Sequence, residues 1–295
     1  MADFKNKIGL IVDEGADLTQ ELIQKYRITV VPFKIDLGEM ANLSGSIYQK
    51  IREAEKRGMK SFVKTSQPSV GDFLSAFNEK FKSFERVICI TITSKHSGTF
   101  NSALQAKKFL TKDNQERVFI IDSLSLSVAE GLLVLAAADL IERGLRNEDV
   151  FKELQKKELQ KMVGEIKVAF VLEDPKWIAA SGRIPGFLAS WISKMQKIGI
   201  RPILGLKNGT IKAIGIKWGV KDMASALFKE FNSKASKDKL TKIAISHADN
   251  LEEMKKLKKM VEERGKGEII LINIIGNVLG GLAGPGALAI AWHQE

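Results

Sequence analysis

The stretch VICITITSKHSGTFNSA, residues 87–103, decides how this chain folds. Its first seven residues are apolar or β-branched, which predicts a buried strand over 86–93. Ser, Gly and Thr then break the run at 97–99, and a helix is predicted from Phe100 to Leu110. The apolar run VFII (118–121) follows as a second buried strand. Strand, helix and strand in this order give a βαβ unit, and such units pair their strands in parallel.

The same alternation extends in both directions. Toward the N-terminus, IGLIV (8–12) and ITVVPF (28–33) read as strands, with helices over 18–26 and 44–57. TSQPS (65–69) opens another helix: Ser69 with Asp72 three residues on is a capping-box pattern, and Pro68 cannot sit inside a helix. Toward the C-terminus, residues 128–143 are helical, and a charged helix over 152–161 ends near a domain boundary. Beyond it the pattern changes. IKVAFVL (166–172) is a strand, and 177–198 is a helix broken at SGRIPG (181–186). RPILGLK (201–207) and TIKAIGI (210–216) flank Asn208-Gly209, the pair that favours a tight type I′ hairpin turn. The fold class is therefore α/β in two domains. Residues 1–162 form a mostly parallel sheet with helices on both faces, and 163–295 an α/β domain with a mixed or antiparallel sheet.

Composition narrows the function classes. The chain has 295 residues, 44% hydrophobic and 27% charged, which is ordinary for a globular protein. Cys89 is the only cysteine, so an intrachain disulfide and a Cys-rich zinc site are excluded. The N-terminus carries no signal-peptide pattern, and a cytoplasmic location is expected. The net charge of +11 is spread along amphipathic helices without an Arg-rich tail, which reads as a solvated surface and not a nucleic-acid footprint. Residues 269–292 contain no charge, yet five glycines, Pro285, Asn273 and Asn277 argue against a membrane span. A strand, a Gly-rich turn and a second strand are expected there.

The Ser-Gly-Thr tip does not match the known catalytic loops. A nucleophile elbow needs G-x-S-x-G, and Lys95-His96 precede Ser97. The phosphate-loop and dinucleotide-binding glycine patterns are absent. No His, Asp and Glu cluster has metal-ligand spacing. The acidic group Asp13, Glu14 and Asp17 reads as a helix cap before it reads as a cation site. Two readings remain for 65–69 and 97–99: plain helix caps, or an anion cradle at helix N-termini, where free N–H groups favour negative charge. A hydrolase or transferase acting through Ser97 is the alternative from a different class.

The chain resembles the DegV family of bacterial fatty-acid-binding proteins. The matching stretches are IVD (11–13) with ADLT (16–19), TSQPS (65–69), SKHSGTF (94–100) with NSA (101–103), and IDS (121–123). In the second half they are SGRI (181–184), RPIL (201–204) before the Asn208-Gly209 turn, and GPGAL (284–288). The resemblance implies two α/β domains with a long-chain fatty acid buried between them. It implies that Thr65 and Ser97 hold the carboxylate, with Ser66, Gly98 and Thr99 beside them. It also implies that the protein performs no chemistry and needs no cofactor. Some members present the bound acid to a separate ATP-dependent fatty acid kinase subunit, which makes an acyl-phosphate. Two positions depart from the family pattern: Glu14 stands where serine is usual, and Leu282 where a head-group histidine is usual.

Candidate tail-lining residues are Phe170, Leu172, Ile178, Phe187, Leu188, Trp191, Ile192, Met195, Ile203 and Leu282. Arg183 and Arg201 are the basic residues nearest to the matching stretches, and are candidates for partner docking or for countering the carboxylate charge.

Overall fold

The computed structural model describes residues 8–59, 62–143, 156–220 and 222–294. Strand β1 (Ile8–Asp13) leads through a 3-10 turn at Glu14–Ala16 to helix α1 (Gln20–Lys25) and strand β2 (Thr29–Val31). Strand β3 (Lys34–Asp36), helix α2 (Ile47–Lys56), strand β4 (Lys64–Ser66) and helix α3 (Val70–Phe81) follow. Then come β5 (Arg86–Thr91), α4 (Thr99–Lys108), α5 (Lys112–Arg117), β6 (Val118–Asp122) and α6 (Val128–Glu142). The second half holds α7 (Lys156–Glu165), β7 (Lys167–Val171), α8 (Lys176–Ala180), α9 (Gly186–Lys197), β8 (Arg201–Lys207) and β9 (Thr210–Lys217). It closes with α10 (Met223–Lys234), β10 (Thr241–His247), α11 (Leu251–Arg264), β11 (Gly267–Ile274), α12 (Asn277–Ala283) and β12 (Leu288–Gln294).

The first sheet has the order β2-β1-β5-β6 and is parallel throughout. Helices α3 and α4 cover one face, and α6 the other. The second sheet has the order β11-β10-β12-β7-β8-β9, with β10–β11 parallel and the other pairings antiparallel. The mixed sheet expected for the second half is therefore present. Alternate residues of β7 divide between two cores. Ala169 and Val171 face α10 and α11, while Phe170 faces the first half.

Helix α6 explains how the two sheets share one core. Apolar residues lie on every side of it, ten of its fifteen residues are buried, Glu130 among them, and it touches β1 and β5 of one sheet and β10, β11 and β12 of the other. A helix apolar all round has no solvent face to offer and ends up enclosed.

Several local readings hold to the residue. Ser69 and Asp72 form a complete capping box on α3. Asn208 and Gly209 both take positive φ, 51° and 77°, as a type I′ turn requires. Others shift. The single strand expected over 28–33 is cut at Pro32, which lacks an N–H to continue a ladder, and the chain resumes as β3. Strand β3 pairs with β4, an antiparallel ladder only three residues long. The Gly-rich turn expected within 269–292 is helix α12. Its Gly280 and Gly281 let Tyr48 and Val63 press on its backbone. The expected domain boundary falls inside α7, and residues 152–155 of the charged helix lie outside the described residues. Among the described residues no helix is long and apolar enough to cross a membrane.

Candidate functional site

The strand order puts a crevice at one end of the first sheet. From β1 the chain runs to β2 on one side, while β5 and β6 lie on the other, so the carboxyl ends of β1 and β5 are where the winding reverses. Ligands of open α/β sheets bind at such a point. A cavity lies there, with an empty volume of about 770 Å3 counting the part open to solvent. The first half lines it with residues that follow strand ends: Phe33 after β2, Ile92, His96 and Ser97 after β5, and Leu126 and Ser127 after β6. The second half lines it with Phe170, Leu172, Ile178, Arg183, Ile211 and a row along α12 and β12 that includes Leu279, Leu282, Ala283 and Ala289. Most of this wall is apolar.

The polar groups converge at the Ser-Gly-Thr tip. Ser97 Oγ lies 2.7 Å from Thr99 Oγ1, and the Thr99 N–H donates to Ser97 Oγ at 3.3 Å. Helix α4 starts here with Gly98 at its N-cap and no capping bond from that residue. A Cβ on Gly98 would come within 2.5 Å of Gln67 Nε2, so the 97–99 and 65–69 loops touch. Thr65, half-buried on β4, accepts a hydrogen bond from Arg183 Nη2 at 3.1 Å. Arg183 reaches from the α8–α9 connection and lines the cavity, so it bridges Thr65 to the cavity wall. Burial lowers the guanidinium's pKa from its ordinary value.

The tip of the β8–β9 hairpin closes over the same loop. Thr93 Oγ1 donates to the Gly209 carbonyl at 2.9 Å, and the Ile211 N–H donates to His96 Nε2 at 3.0 Å. Burial, aided by the nearby Arg183 charge, lowers the His96 pKa and keeps the ring neutral. The hydrogen-bond partner of Ser97 Oγ is therefore Thr99, and the adjacent histidine is turned to the hairpin.

The first acidic group splits in two directions. Asp13 is fully buried and accepts from Gly15 N at 2.8 Å and Ile92 N at 2.7 Å, so it caps the 3-10 turn and ties down the end of β5. Asp17 accepts from Ser127 Oγ at 2.5 Å and from Gly276 N at 2.8 Å, joining the first half to the loop before α12. Burial raises both carboxyls to about 7. Glu14 points elsewhere: its Oε2 accepts from Phe33 N at 3.1 Å. A group of acids, histidines and cysteines able to hold a metal ion is absent among the described residues.

Of the tail-lining candidates, Phe170, Leu172, Ile178 and Leu282 lie on the cavity wall. Leu188, Trp191 and Ile192 pack into the shared core outside it. Ile203 faces the opposite side of its sheet, against the α10 and α11 layer. Phe187 is 77% exposed on the outer surface of α9, and Met195 is half-buried on the same helix. Arg201 begins β8 in register with Lys217, away from the wall. The sequence reading missed Phe33, Ile211 and, on α12, Val278, Leu279 and Ala283. Each is an ordinary apolar residue, distinguished only by what faces it across the chain.

The DegV family model matches residues 7–295. A DegV domain-containing protein of Clostridium perfringens is 32% identical over 79% of this chain and 80% of its own. Protein DegV of Bacillus subtilis is 28% identical over 97% and 98%. Among solved structures, a fatty-acid-binding DegV family protein from Thermus thermophilus superposes with a TM-score of 0.83. It is 25% identical and covers 98% of this chain and 100% of its own. The fatty-acid-binding protein DegV of Bacillus subtilis gives 0.77 at 25% identity, covering 98% and 99%. With a family match spanning nearly every residue and the same two-sheet architecture, this chain belongs to the DegV family.

Proposed function

We propose that this protein is a non-enzymatic carrier that binds one long-chain fatty acid between an N-terminal domain, 1–162, and a C-terminal domain, 163–295. The observation that carries this reading is the division of the cavity wall. Apolar side chains from both halves make up most of it, and Ser97, His96 and Arg183 cluster beside the start of α4, where the N-cap Gly98 makes no side-chain capping bond. The likeness to fatty-acid-binding DegV proteins of Thermus thermophilus and Bacillus subtilis supports it.

The energetics suit such a ligand. About fourteen buried methylenes contribute on the order of 11 kcal/mol gross, of which association and ordering costs remove a large part. Hydrogen bonds to a carboxylate add roughly 1.5–3 kcal/mol each, and much of that offsets desolvation of the anion. The tail supplies affinity, and the hydroxyls of Thr65 and Ser97, with Ser66, Gly98 and Thr99 framing them, set which end faces outward. In this reading the protein presents the carboxylate held there to a fatty acid kinase subunit, and Arg201, at the start of β8 away from the cavity wall, is the candidate docking residue. Arg183 serves the head group through Thr65.

Native mass spectrometry of the purified protein tests the reading. A co-purifying long-chain acid is the expected result. A protein that arrives empty and also ignores added palmitate and oleate would remove the proposal.

A further inference from the structure

Four residues on the cavity wall carry polar side chains: His96, Ser97, Ser127 and Arg183. Three of them have evident duties. Ser127 Oγ is spent on Asp17 at 2.5 Å and Ser246 Oγ at 3.1 Å. Arg183 bonds Thr65, and Ser97 is paired with Thr99. His96 is the remaining one, and its state is set by its surroundings. Nε2 accepts the Ile211 N–H at 3.0 Å, so that nitrogen carries no proton. In a neutral imidazole the ring N–H then sits on Nδ1. Burial and the Arg183 charge hold the ring in this neutral form. Among the described residues, Nδ1 meets no acceptor.

The ring is also held firmly. The His96 N–H closes a turn on the Thr93 carbonyl at 3.3 Å, and Thr93 is itself bonded to Gly209 at the hairpin tip. A donor of fixed tautomer, half-buried beside Ser97 at the edge of an apolar void, matches what an anionic head group needs. It offers an N–H without placing a full positive charge next to the apolar tail.

We propose that His96 is a ligand-binding residue: its Nδ1–H donates to the carboxylate of the bound acid alongside Ser97, while the hairpin's Ile211 N–H fixes the tautomer that makes this donation available. The inference rests on the fatty-acid reading above. It makes the β8–β9 hairpin part of the head-group site through one backbone N–H.

Two conservative variants separate this role from a purely structural one. His96→Gln keeps an acceptor near the Nε2 position for Ile211 and removes the Nδ1 donor. His96→Asn keeps a donor near the Nδ1 position and abandons the hairpin. Titration of the purified protein with palmitate and with methyl palmitate, beside thermal denaturation, reads both. For His96→Gln the palmitate affinity is expected to fall about tenfold or more, the worth of one hydrogen bond to a charged group, with methyl palmitate affected far less. Its melting temperature should stay near that of the parent. His96→Asn should melt lower and bind palmitate within about threefold of the parent, since the donor survives. The inference is overturned if His96→Gln binds palmitate as the parent does, or if both variants lose acid and ester equally. If the parent protein itself takes up no palmitate, the carrier reading falls and takes this one with it. If the parent binds and His96→Gln binds equally well, only the role of His96 is lost.

Discussion

Arg183 Nη2 donates to Thr65 Oγ1 across 3.1 Å, joining residues 118 apart in sequence and one from each half of the chain. The contact ties the 65–69 loop to the cavity wall, where Thr65 itself does not stand. Thr65→Val removes the acceptor while keeping the shape. It should weaken fatty acid binding by about three- to tenfold, as expected for loss of one hydrogen bond in a head-group network, with little change in stability. Fluorescent fatty acid displacement measures it. Unchanged affinity in Thr65→Val would place the carboxylate away from this loop.

Ala283 lies on the cavity wall and is only half-buried, so a larger side chain there meets less resistance than in the core. Ala283→Phe should fill the void and exclude the acyl chain, at a folding cost of roughly 1–3 kcal/mol. Native mass spectrometry should show the variant folded and empty. A variant that still carries a long-chain acid at parental occupancy would put the tail elsewhere.

Gly209 sits at φ 77°, and a Cβ there would come within 2.5 Å of Thr93 Oγ1. Gly209→Ala should therefore cost about 1–2 kcal/mol from the left-handed backbone alone, with the contact to Thr93 adding to it. Because Thr93 leads into the loop that carries His96 and Ser97, ligand affinity should fall with stability. Asn208→Gly, which keeps the turn conformation, is the control and should bind as the parent does. Urea titration beside ligand binding checks the pair; equal stability of Gly209→Ala and the parent would show that the tip moves freely.

Asp13 and Asp17 titrate near 7 in the folded chain against 3.8 ordinarily, because burial disfavours their charged forms. A raised carboxyl pKa means the native state holds its proton more tightly. Its contribution is then fully present below about pH 4 and is lost as the pH rises through 7. Glu14 lies nearby, and Glu130, fully buried with neither oxygen hydrogen-bonded, is also raised and pushes the same way. The melting temperature should fall between pH 5 and pH 8 at constant ionic strength. Asp17→Asn can accept from Gly276 N and donate to Ser127 Oγ, so it keeps both bonds without the charge. Its advantage over the parent should grow across that range. A difference that stays constant with pH would show that Asp17 ionises freely in the fold.

Much of the architecture was legible because its signals are local. The alternation of apolar runs and helices along 8–143 announced the parallel sheet. The Ser69–Asp72 box and the Asn208-Gly209 turn were readable from four residues or fewer, since each is specified by its own backbone angles and hydrogen bonds. The β3–β4 ladder was not legible. Three polar-rich residues have no pattern of their own, and they become strands only because the partner lies alongside. Helix α12 was hidden for a similar reason. Its glycines read as a turn, but they serve close packing against Tyr48 and Val63.

By itself the amino-acid order determined the α/β class, the two dissimilar halves, the loops at 65–69 and 97–99, and the family they mark. Tertiary structure alone decided which apolar residues face the void. Phe170 and Ile203 have the same chemistry, yet pleating and strand order send one to the cavity and the other to the far core. It also decided that Glu14 turns to Phe33, that Arg183 meets Thr65, and which nitrogen of His96 holds the proton. The reason is one of range. Propensity and capping act over a few residues, whereas a binding site is made where segments a hundred residues apart come into contact, and no short window of sequence contains both sides of that contact.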